Sequence, residues 1–92
     1  PSLTLIKLPG TFAVCALPAL AQLPTPVASV LWSLTVTMDE VSLVCPWSEA
    51  PADAAVSGPW SALMVEGPLD LTLTGILHEL LGPLGSAGIP IY

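Results

Sequence analysis

Asp70, Thr72, Thr74, His78 and Glu79 stand close together, and His78 is the one histidine of the chain. The Asp70 carboxylate suits the free N–H of Thr72 or Leu73 at a helix start. It could also grip the amino group of a bound amino acid, and one residue can do both. Thr72 and Thr74 could donate to a ligand carboxylate beside the N–H groups of that helix start, or simply face solvent. His78 has no Cys, Asp or second His at a metal-ligand spacing, so it reads as a semi-exposed helix histidine. Glu79 beside it reads as a solvated charge. Ser33, Ser42 and Ser61 lack a neighbouring general base. Asp39-Glu40 is a turn before it is a carboxylate pair. Cys15 and Cys45 lie in apolar runs, which suits buried reduced thiols; spacing alone leaves one disulfide open. The chain is therefore read as no enzyme, with no catalytic residue, metal or cofactor.

The composition narrows the partners. Ninety-two residues make one compact domain or two very small ones. Hydrophobic residues are 53% and charged residues 9%, the opposite of a disordered composition. So few charges cannot cover a small domain, which leaves apolar surface for a partner. Net charge is −6 and Lys7 is the one basic side chain. A nucleic-acid surface needs several Lys or Arg, so no nucleic acid is expected. An anionic membrane is excluded on the same ground. The most apolar region, Leu3 to Leu23, is broken by Lys7, Pro9, Gly10 and Pro18, so it does not read as a membrane span. Lys7, Leu8 to Leu20 and Ala19-Leu20-Ala21 mimic a secretory signal, but Pro9-Gly10 interrupts its apolar segment.

The elements that must position these residues follow from pattern. Leu3 to Leu8 and Thr11 to Leu17 read as strands joined by a Pro9-Gly10 turn. Pro18, Pro24 and Pro26 make the next segment a connection. Val30 to Met38 alternates, with Trp32, Leu34, Val36 and Met38 facing one way and Ser33, Thr35 and Thr37 the other. Asp39-Glu40 turns the chain. Val41, Leu43 and Cys45 then alternate with Ser42 and Val44, and Pro46 ends that strand. Trp47 to Pro59 reads as a linker or a loop with one helical turn, and Trp60 to Val65 as a strand. Leu73, Ile76, Leu77, Leu80, Leu81 and Leu84 recur at the spacing of a buried helix face. The helix is expected over about 71–86, with Asp70 as N-cap and Gly75 in its interior, where something approaches closely. Pro83 predicts a kink or restart near Gly82, and Gly88 the C-terminal cap.

Trp60 to Asp70, then Leu73-Thr74-Gly75-Ile76-Leu77, Pro83-Leu84 and Gly88-Ile89 resemble a family of small tandem ACT-domain proteins. Leu8-Pro9-Gly10, Phe12 to Cys15 and Glu40 to Pro46 resemble the first half of the same family. Its modules are similar to those of CASTOR-type cytosolic arginine sensors and of aspartate kinases. The resemblance implies an α+β fold of ferredoxin-like ACT modules: an antiparallel sheet with one main helix and the last strand missing. It implies a degenerate first module of two hairpins over 1–50, a linker over 51–59 and an incomplete second module over 60–92. It further implies cytoplasmic, regulatory amino-acid binding where modules meet, in a homo-oligomer or against a second ACT module. The turn before the helix and the first helical turn face the ligand in that family. On this sequence those positions are Gly67, Asp70, Leu71, Thr72, Thr74 and Gly75.

Overall fold

The computed structural model describes residues 4–18, 23–67 and 75–92. Among the described residues six strands are formed: β1 (Leu5–Lys7), β2 (Phe12–Leu17), β3 (Ser33–Val36), β4 (Val41–Pro46), β5 (Ala55–Trp60) and β6 (Leu63–Val65). A 3-10 turn covers Trp47–Glu49, and the helix α1 covers Ile76–Ser86. The fold is α+β, with two antiparallel sheets and one helix among the described residues, consistent with a small ferredoxin-like fold.

The chain divides into two compact units. One is Lys7–Met64; the other joins Pro1–Ile6 to Val65–Tyr92. The expected 51–59 linker falls inside the first unit.

In that first unit the strand order is β3-β4-β2-β5. β4 pairs antiparallel with both β3 and β2, and β2 also pairs antiparallel with β5. The β3–β4 hairpin forms as its alternation requires. Its turn is held by Thr37, whose Oγ1 accepts from the N–H groups of Asp39 and Glu40 at 3.3 and 3.1 Å. The Thr37 N–H donates to the Glu40 carbonyl at 2.9 Å.

Period two puts Ala13, Cys15 and Leu17 on the same face as Val41, Leu43 and Cys45. Ala13, Cys15, Leu43 and Cys45 are the core of this unit, each at most 2% exposed. Leu17, Trp32, Leu34, Ala50 and Ala54 pack against them. Val36 and Met38 share the parity of Trp32 and Leu34 but are exposed, because the ladder stops at Val36.

Three sequence expectations are corrected in this unit. Leu3 to Leu8 and Thr11 to Leu17 do not form a hairpin. Both edges of β2 are taken by β4 and β5, so β1 pairs with β6 instead. Their flanking bonds run Leu8 N–H to the Ala62 carbonyl (2.9 Å) and Glu66 N–H to the Thr4 carbonyl (2.8 Å), an antiparallel register. Trp47 to Pro59 is not all loop, since it contains most of β5. Gly58 and Pro59 hide that strand from a propensity reading. They are tolerated because β5 is an edge strand, and its register against β2 shifts between Phe12 and Val14. Trp60 to Val65 is not one strand. Trp60 ends β5 on β2, and β6 begins at Leu63 on β1.

In the second unit α1 begins at Ile76, later than the expected 71, with Gly75 as its N-cap rather than an interior residue. Gly75 holds φ +77°, a left-handed conformation that favours glycine. Among the described residues a Cβ there would meet nothing within 4 Å, and the left-handed turn is what requires the glycine. The helix runs through Gly82 and Pro83 as one element without the expected restart. It ends in a Schellman arrangement: Gly88 is left-handed at φ +72°, its N–H reaches the Gly85 carbonyl, and the Ile89 N–H reaches the Leu84 carbonyl, both at 3.0 Å.

The expected six-residue apolar face is not buried. Ile76, Leu80 and Leu84 are half-buried, Leu77 is 68% exposed, and no residue of α1 is buried. Leu73 lies outside the described residues.

Candidate functional site

The sequence places its ligand-facing residues at the entry to α1. Of these, Asp70, Leu71, Thr72 and Thr74 lie outside the described residues. Gly67 is exposed just after β6, and Gly75 is exposed at the helix start. Among the described residues no side-chain hydrogen bond caps that start. The first internal bond of α1 runs from the Glu79 N–H to the Gly75 carbonyl at 3.0 Å. The N–H groups of the first helical turn precede it and have no partner within the helix. With the helix dipole they make a positively polarised end that suits a carboxylate. His78 sits in this first turn and is exposed.

A second concavity was not foreseen. Within the Lys7–Met64 unit, a groove of about 280 Å³ is lined by Pro9, Gly10, Thr11, Phe12, Val30, Pro46, Trp47 and Ser48. Register builds it: Phe12 opens β2 opposite Pro46, which closes β4, so the segments flanking those two ends meet. The Trp47 N–H donates to the Thr11 carbonyl at 2.9 Å and ties them together. Among the described residues no charged side chain lines this groove. Two hydroxyls and an apolar wall suit a small uncharged group. The missing signal was the β2–β4 pairing, because β3 intervenes in sequence between them.

Ser42 stands opposite Ala16 on β2 and Thr35 on β3, and neither neighbour is a base. Among the described residues no group of three or more His, Cys, Asp or Glu could hold a metal ion. No described helix is long and apolar enough to cross a membrane.

Cys15 and Cys45 are buried free thiols. Cys15 lies opposite Leu43 and Cys45 opposite Ala13, so the two are diagonal neighbours on one face. Such neighbours have Cα atoms about 7–8 Å apart, beyond the usual span of a disulfide. Both stay free thiols on the buried face. Burial, then the neighbouring Cys15, push the Cys45 thiol up from 9.0 to about 11. The folded state thus holds the proton that the unfolded state releases more readily. Stability from this group is complete below pH 9 and is lost as the pH rises toward 11. The expected result is that an aromatic disulfide reagent at pH 8 leaves both thiols unmodified in the native protein. Both should react within minutes in denaturant. Rapid native labelling of either would contradict this packing.

Comparison with known proteins decides the relationship. No protein-family profile matches the sequence, and no curated protein does. A crystal structure of protein Atu0741 from Agrobacterium tumefaciens matches all of this chain with a TM-score of 0.88 and 32% sequence identity. The match covers 69% of that chain. This chain belongs to the Atu0741 family. The likeness extends over both units, so the α+β elements described above are those of the Atu0741 family.

Proposed function

We propose that this member of the Atu0741 family is a regulatory module that binds a small amino acid at an ACT-type module interface, without catalysis. The observation that carries the reading is the start of α1. Gly75 is its N-cap, no described side chain caps it, and the first-turn N–H groups of such a helix start suit a ligand carboxylate. The order of β6, Gly67, Gly75 and α1 agrees with the resemblance of Trp60 to Leu77 to ACT modules. Asp70 is the proposed partner of the ligand's amino group, with Leu71, Thr72 and Thr74 completing that wall. The proposed setting is the cytoplasm. Thermal unfolding of this chain and of Atu0741 against each of the twenty amino acids tests the proposal. A ligand present at a hundred times its dissociation constant should stabilise by about 2.7 kcal/mol. A flat response in both proteins would end it.

One observation favours a second reading, an assembly domain with no ligand. Leu77, Leu81, Ile89, Ile91 and Tyr92 are all exposed in the α1 unit, and α1 buries no residue. Exposed apolar side chains grouped in one unit are the material of an association surface. This reading expects a homo-oligomer by light scattering at micromolar concentration. A stable monomer would remove it.

A further inference from the structure

We draw no further inference here: the strongest candidate, the apolar surface carried by α1 and the segment that follows it (Leu77, Leu81, Ile89, Ile91 and Tyr92), carries nothing more because no feature of the structure shows what covers it.

Discussion

Gly58→Ala is expected to lower stability by about 2–5 kcal/mol, the sum of backbone strain and overpacking. Gly58 holds φ +133°, which a side chain rarely adopts. A Cβ at this position would lie 2.9 Å from the Phe12 carbonyl oxygen, 3.0 Å from Trp60 Cδ1 and 3.1 Å from Trp47 Cζ3. The first of these is backbone of β2, which is paired on both sides and has no freedom to withdraw. Relief therefore requires breaking the β2–β5 ladder. The same substitution at Gly85, inside α1 with open space around it, should instead stabilise by up to about 1 kcal/mol. Chemical denaturation of the two variants checks the contrast. A Gly58→Ala protein as stable as the parent would mean that β5 does not sit against β2 as described.

The second large effect separates the two units. Leu43→Ala should cost about 2–5 kcal/mol, because it opens a cavity in a closed core. Leu43 is 2% exposed, sits on β4 between two partner strands and packs with Cys15, Cys45 and Ala13. Leu77→Ala removes the same atoms from a side chain that is 68% exposed. Its cost should stay within about 0.5 kcal/mol. Folded domains hold only about 5–15 kcal/mol, so the first variant loses a large share of the total. Urea midpoints for both variants give the measurement. Equal losses at the two positions would place Leu77 in a core and contradict the exposed helix face.

The period-two pattern of Trp32 to Cys45 was legible because each strand there pairs with its neighbour in sequence. Alternation then names the inward face directly, and Leu43 and Cys45 occupy it. Gly88 was legible for a similar reason. A helix end is a local event, and few residues adopt its left-handed conformation at low cost. The 3.6-residue spacing marked a helix, expected over about 71–86 and observed over Ile76–Ser86, although spacing could not say where it begins or whether the apolar face is covered. Burial is decided by what arrives from elsewhere in the chain.

Long-range pairing stayed hidden. β1 finds β6 and β2 finds β5 across long stretches of intervening chain, and no local pattern encodes those choices. Gly58-Pro59 argued against a strand, and only an edge position with a register shift accommodates them. The same holds for the Pro9-to-Ser48 groove and for the state of Cys15 and Cys45. Both depend on which residues of β2 and β4 stand opposite each other. Residue types and local periodicity thus marked the strands β1 to β4 and the body of the helix, but neither β5 nor the start of α1. Only the tertiary structure decided which strands meet, because the hydrogen-bonding edge of one strand is chemically much like that of another until packing selects its partner.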